Sequence, residues 1–240
     1  MSNNNPASLS QETYTRIGQY TTDTMSTVIN NFFQTAPEGL LFGSTALAVF
    51  TQNMAFFILA LAVLVFKLLN GVLGRFILEI APSFYEGETY PGRAKCDFPY
   101  ATFTKVEGLN SSLRNSAVPS STTFVFLSTL FYMLSCVHKF KDTLDVLGTK
   151  TPVYLSVLPF AFTTTILLSL AYIVWRKRSG CDSISALFLT LFAAAVVAPL
   201  VAWAFESIFG KSGVNLLNMP ILERDVVIAD NVASCNSLPK

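Results

Sequence analysis

Apolar and polar residues separate along this chain into blocks of different length and period. Four apolar blocks are long, at about 54–78, 118–137, 152–174 and 185–209. Each approaches or exceeds the roughly 20 residues a helix needs to cross a bilayer core. A fifth block, Leu40–Phe50, is shorter and is followed by Gln52-Asn53. It reads as a partial or re-entrant helix, or as the first half of one longer span. Upstream, from about Ser10 to Gln34, Met25, Val28, Ile29, Phe32 and Phe33 recur at i, i+3, i+4, i+7 and i+8, which predicts an amphipathic helix. Thr21, Thr22, Asp23, Asn30 and Asn31 fall elsewhere on it. That helix is too polar to span, so it is expected to lie in the interface or dock on the bundle. Pro37-Glu38-Gly39 is expected to end it.

The polar blocks complete the layout. Residues 1–9 read as a polar arm. Residues 82–116 form the longest loop, with breakers at Pro82, Pro91 and Pro99 and charges of both signs. Loops of this length are usually functional or disordered. His138–Lys150 reads as a short connecting loop, and Pro159 as a kink within the third span. The fourth span is rich in alanine (Ala193, Ala194, Ala195, Ala198, Ala202 and Ala204), which lets helices approach closely. From 210 onward the chain is a polar, exposed tail with a β-like Val226-Val227-Ile228. The expected organisation is a polar arm and amphipathic helix (1–38), a membrane helical bundle (39–209) and a tail (210–240). The fold class is all-α, an integral membrane bundle of about four spans.

Composition supports this class. The chain of 240 residues is 52% hydrophobic and 13% charged, with 21 Phe. Soluble domains carry roughly 25% charge. A net charge of +1 implies no nucleic-acid surface. Four cysteines without CxxC spacing and a single histidine imply no metal site, and no cofactor is expected. Cys136 sits in an apolar run and reads as a small core residue. Cys96 and Cys181 flank spans on one side, and sequence alone cannot say whether they pair. The first 38 residues hold no apolar run of signal-peptide type, so insertion is expected through an internal span.

Counting spans puts loops 81–117 and 175–184 on one side of the membrane, and loop 138–151 and the tail on the other. Seven basic residues (Arg93, Lys95, Lys105, Arg114, Arg176, Lys177, Arg178) lie on the first side, with Lys139, Lys141, Lys150 and Lys211 nearest the spans on the other. A positive-inside reading makes the first side cytoplasmic.

Chemistry gathers on that side. Lys67 and Arg75 near the far end of the first span can snorkel or face the bundle interior. Asn115–Val137 opens with a polar turn closing on Pro119, which fits a first helical turn because its missing N–H had no partner there. Ser120, Ser121 and Thr122 are expected to cap the free N–H groups of that turn. A hydroxyl-lined helix N-terminus suits an anion such as phosphate. The plainer alternative is a capped membrane helix. After the third span, Arg176-Lys177-Arg178 read first as interfacial anchors and second as ligands for a lipid headgroup.

The order and sidedness of Arg75–Pro82, Pro119–Thr122 and Arg176–Ala186 resemble the type 2 phosphatidic acid phosphatase family of membrane lipid phosphate phosphatases. That family's signatures are Lys-x6-Arg-Pro, Pro-Ser-Gly-His and Ser-Arg-x5-His-x3-Asp. The resemblance spans about 54–209 and departs from each signature. The first keeps Pro82, with Arg75 one place from the expected lysine; the register Lys67-x7-Arg75 is one residue too long. The second reads Pro119-Ser120-Ser121-Thr122, with Thr122 at the acid histidine. The third reads Trp175-Arg176-x5-Asp182-x3-Ala186, with Asp182 at the nucleophile and Ala186 at the orienting aspartate. The resemblance implies a lipid-phosphatase-like core, with Arg75, Ser120, Ser121, Arg176, Lys177 and Arg178 as phosphate- or headgroup-binding positions. The departures imply no catalytic residue, because the proton donor and histidine nucleophile are gone. The single histidine, His138, falls on the opposite side.

The N-terminal arm and Cys96-Asp97-Phe98-Pro99 also look like phosphatase-like membrane proteins of large DNA viruses. This implies a structural or adaptor component of a virion internal membrane or a host endoplasmic-reticulum-derived membrane. Its partners would be the bilayer and capsid or membrane proteins met through the amphipathic helix and the tail. The alternatives are a divergent phosphatase using Arg176 and Asp182, and a small transporter. Few charges lie in the spans and none forms an obvious pair, which counts against an ion path.

Overall fold

The computed structural model describes residues 6–80 and 120–217; within them, the side chains of residues 6–19, 22, 75, 78–80 and 150 are not described. Pro119, Cys96, loop 82–116 and Val226-Val227-Ile228 lie outside the described residues. In chain order the elements are α1 (Pro6–Thr51), α2 (Met54–Ile80), α3 (Ser121–His138), α4 (Lys141–Lys150), a 3-10 turn (Pro152–Ser156), α5 (Val157–Arg178), α6 (Ile184–Phe209) and a 3-10 turn (Lys211–Val214). Among the described residues every element is helical. Four stretches are long and apolar enough to cross a membrane: Met54–Gly74, Ser121–His138, Pro152–Arg178 and Ile184–Phe209. The fold is a helical membrane bundle.

Helix α3 is its axis. Eleven of its eighteen residues are buried, far more than one apolar face requires, so other helices pack around most of it. On one side Phe66 of α2 meets Phe124 and Tyr132 edge-on, with ring centroids 6.5 and 6.1 Å apart. On another, Phe126 stacks on Tyr172 of α5 at 4.3 Å. Tyr132 also meets Phe205 of α6 edge-on at 6.2 Å. On α6, Ala194, Ala198 and Ala202 repeat every four residues and are fully buried. Their small side chains let α6 lie closely against its neighbours. In lipid, where apolar surface outside the bundle costs little, such van der Waals contact is a main source of helix association. The outward faces remain apolar, with Phe160, Leu167, Phe188, Phe192 and Leu200 exposed.

Four sequence expectations are corrected. Helix α1 does not end at Pro37-Glu38-Gly39 but runs unbroken to Thr51. A proline inside a helix removes one backbone hydrogen bond and crowds the preceding turn. Here packing holds both flanks: Phe33 and Ala36 are buried before the proline, and Leu40 and Leu41 pack on the core after it. The break falls instead at Gln52, whose φ is +53°. Asn53 then opens α2, its Oδ1 accepting the Ala55 N–H at 2.9 Å.

Leu40–Phe50 is therefore not a separate partial helix. It is the second half of α1, packed beside α2. At one end Trp175 Nε1 donates to Asn30 Oδ1 at 2.7 Å, beside the C-terminus of α5. At the other, Asn53 Nδ2 donates to the Asn215 carbonyl at 3.3 Å, just beyond α6. This half of α1 thus runs between opposite ends of the bundle, with Phe42, Val49 and Phe50 facing outward.

The 138–150 loop contains α4, anchored by buried Phe140 and Leu144. Two buried side chains were too weak a periodic signal to find it. Pro159 does not kink the third span, because it lies in the first turn of α5, where its missing N–H costs nothing. The proline inside a span is Pro199 of α6. Finally, a Cβ on Gly213 would lie 2.8 Å from Ile58 Cδ1 and 2.7 Å from Phe209 Cβ, so only glycine lets the last turn fold against α2.

Candidate functional site

The site is built by two helix ends and one turn. Helix α5 closes with Gly180 in the left-handed region at φ +67°. The Gly180 N–H donates to the Lys177 carbonyl at 3.1 Å, and the Cys181 N–H to the Arg176 carbonyl at 3.0 Å. These two bonds form a Schellman motif, which needs a residue at ease with positive φ at Gly180. The chain reverses there, so Asp182 returns onto the Arg176 side chain six residues upstream. Ser183 then caps α6, its Oγ accepting the Ala186 N–H at 3.1 Å. Ala186 is a buried residue of that first turn.

Arg176 is fully buried and Asp182 is 4% exposed. Arg176 Nε donates to Asp182 Oδ2 at 2.7 Å, and Nη2 donates to Ser120 Oγ at 2.8 Å. The Thr123 hydroxyl lies 3.1 Å from the same Asp182 oxygen and 3.3 Å from Ser120 Oγ. Four polar side chains from three segments thus form one buried network around a single carboxylate oxygen. Burying an ion pair is costly unless the charges satisfy each other and their remaining polar groups are bonded. Here a guanidinium and a hydroxyl converge on the carboxylate, and a second hydroxyl accepts from the guanidinium.

The structure therefore brings together Ser120, Arg176 and Asp182 from two of the three sequence clusters. Arg176 is not the exposed interfacial anchor that its place among three cations suggested. Lys177 and Arg178 are exposed on the last turn of α5, where the negative end of the helix dipole favours cations. Ser120 precedes α3 but makes no side-chain cap, correcting the capping expectation. Its hydroxyl accepts from Arg176 instead, while its carbonyl accepts the Phe124 N–H at 2.8 Å. Ser121 is exposed and Thr122 half-buried. The hydroxyl that reaches Asp182 belongs to Thr123, which the sequence reading missed. One helical turn beyond Ser120, Thr123 shares its face, and that i, i+3 spacing was the available signal. Arg75 lies on α2 near the end that approaches α3, and its side chain is outside those described.

Cys181 is disulfide-bonded, to a partner outside the described residues. Cys136 is free and buried. His138 ends α3 at the far end from Ser120. Beside it, Lys139 Nζ donates to Glu206 Oε2 of α6, an ion pair that the sequence reading of the spans did not foresee.

Comparison with protein-family models, curated proteins and solved structures gives no match for this chain.

Proposed function

We propose that this multi-pass membrane protein is a catalytically silent relative in kind of the lipid phosphate phosphatases and works as a structural or adaptor component of its membrane. The observation that supports this reading is the place of Asp182. An arginine guanidinium and two hydroxyls beside a helix start make a suitable receptor for a phosphate. In this chain the carboxylate of Asp182 stands among them and meets their donors, as a built-in counter-anion. A phosphomonoester entering this network would have to displace a buried carboxylate from a buried arginine. The position that would carry a histidine nucleophile is thus occupied by the group that satisfies the arginine.

The same placement weakens the alternative of a rewired phosphatase. An aspartate nucleophile must present an oxygen in line with phosphorus. Oδ2 of Asp182 is already engaged by Arg176 and Thr123. An adaptor role leaves the binding work to the polar ends, residues 6–32 of α1 and the tail after α6. Capsid proteins beneath which an internal virion membrane lies, or other membrane proteins, are the proposed partners.

The test is phosphate release from phosphatidic acid in mixed micelles by the purified, folded protein, run beside Asp182→Asn. No turnover is expected from either. Turnover in the parent protein that disappears in an Asp182→Asn variant shown to be folded would establish the phosphatase alternative and end the silent reading. Chemical cross-linking in the native membrane tests the adaptor role, which fails if the chain is recovered free of protein partners.

A further inference from the structure

At the end of the bundle opposite Arg176, a groove of about 680 Å³ lies between α5 and α6, floored by α3. Leu134, Leu158, Phe162 and Pro199 line its apolar length, and His138 and Lys139 stand at one end. It exists because α5 and α6 both lean on α3 but barely touch each other. Its volume falls in the range of small-molecule sites, about 300–1,000 Å³. It opens on the lipid-facing side, where Phe160 and Phe162 are exposed. Water gains nothing in such an apolar slot, so a hydrocarbon chain from the bilayer is its natural filling.

The polar end narrows the choice of lipid. His138 and Lys139 end a membrane-crossing helix, the depth at which a lipid headgroup sits. Lys139 is paired with Glu206, so a cation and an anion stand side by side there. A zwitterionic headgroup, with one phosphate and one ammonium, complements such a pair. An anionic headgroup such as phosphatidylglycerol has a phosphate for Lys139 but no ammonium for Glu206. We propose that this groove is a lipid site that holds one acyl chain of a zwitterionic glycerophospholipid, with its headgroup at His138, Lys139 and Glu206. The proposal is independent of the phosphatase-like reading.

The experiment places the full chain in nanodiscs of equal parts phosphatidylcholine and phosphatidylglycerol, then counts retained lipids by native mass spectrometry after release into detergent. One phosphatidylcholine per chain is expected, retained at least fivefold over phosphatidylglycerol. Leu158→Trp, which fills the groove, should cut retention at least fivefold. Leu167→Trp, on an exposed position of α5, should leave it unchanged. Leu134→Phe is a second filler should Leu158→Trp fail to fold. Glu206→Gln should erode the preference for phosphatidylcholine. No retained lipid in the parent protein, equal retention of phosphatidylglycerol, or full retention in a folded filler variant would each overturn the proposal.

Discussion

Replacing Asp182 with alanine should be among the most damaging single changes in the described part of this protein. Arg176 is fully buried, and the Asp182 carboxylate is its counter-charge at 2.7 Å. Removing that carboxylate leaves a guanidinium inside the bundle with a hydroxyl, Ser120 Oγ at 2.8 Å, in place of an anion. Breaking one side of a buried pair costs about 3–5 kcal/mol, mostly for the charge left behind. The Thr123 hydroxyl loses a partner as well, but it retains Ser120 Oγ at 3.3 Å, so its share is small. Replacing both members together, Arg176→Met with Asp182→Leu, removes both charges and should recover most of the loss. Equilibrium unfolding in mixed micelles, titrated with an anionic detergent, measures all three proteins. A further arm adds sulfate to Asp182→Ala. If the vacated place accepts an anion, sulfate at ten times its dissociation constant should restore about 1.4 kcal/mol. An Asp182→Ala variant within about 1 kcal/mol of the parent would refute the reasoning, because the charge would then not be buried. A double variant as unstable as the single one would refute it too.

Three further outcomes are expected. Gly180→Ala has open space for its Cβ but keeps φ at +67°, so it should cost about 1–2 kcal/mol in the same unfolding assay. Lys139 and Glu206 are 23% and 30% exposed, so a double-mutant cycle between them should give a coupling of about 1 kcal/mol or less, falling with salt. Because the second half of α1 runs between opposite ends of the bundle, cysteines placed at Thr24 and Ser212 should react with a membrane-impermeant thiol reagent from opposite sides of a sealed vesicle. Labelling of both from one side would contradict that path.

The spans were legible because about twenty apolar residues in a row have few other uses, and the boundaries of α2, α3 and α6 lie within a few residues of the expected ones. The course of α1 was not, since Pro37 is a strong local signal against a helix and the packing of Phe33 and Leu40 that overrides it is long-range. At the site, the residue types at Ser120, Arg176 and Asp182 drew notice from their order along the chain. Their state was beyond reach of a linear reading. An arginine followed by two exposed cations looks exposed itself, but its face of α5 is buried, and the reversal at Gly180 brings Asp182 back onto it. Gly180 and Ser183 do carry the local signature of a helix stop followed by a helix start, which places Asp182 in a tight turn. That the turn presents its carboxylate to Arg176 depends on α3 supplying Ser120 and Thr123 from more than fifty residues away.

Cys181 holds a disulfide one residue before Asp182. Such bonds form and persist in the secretory lumen, outside the cell or on virion surfaces, while glutathione and thioredoxin in the cytosol remove them. If this bond forms in the cell, the Arg176 face must meet an oxidising compartment, and Cys181 should react with a maleimide only after reduction. That orientation would be the opposite of the one favoured by the basic residues of the loops, a margin drawn largely from one long loop. The contacts proposed for residues 6–32, which reach the Arg176 end of the bundle at Asn30, would then lie on the lumenal or exterior side of the membrane.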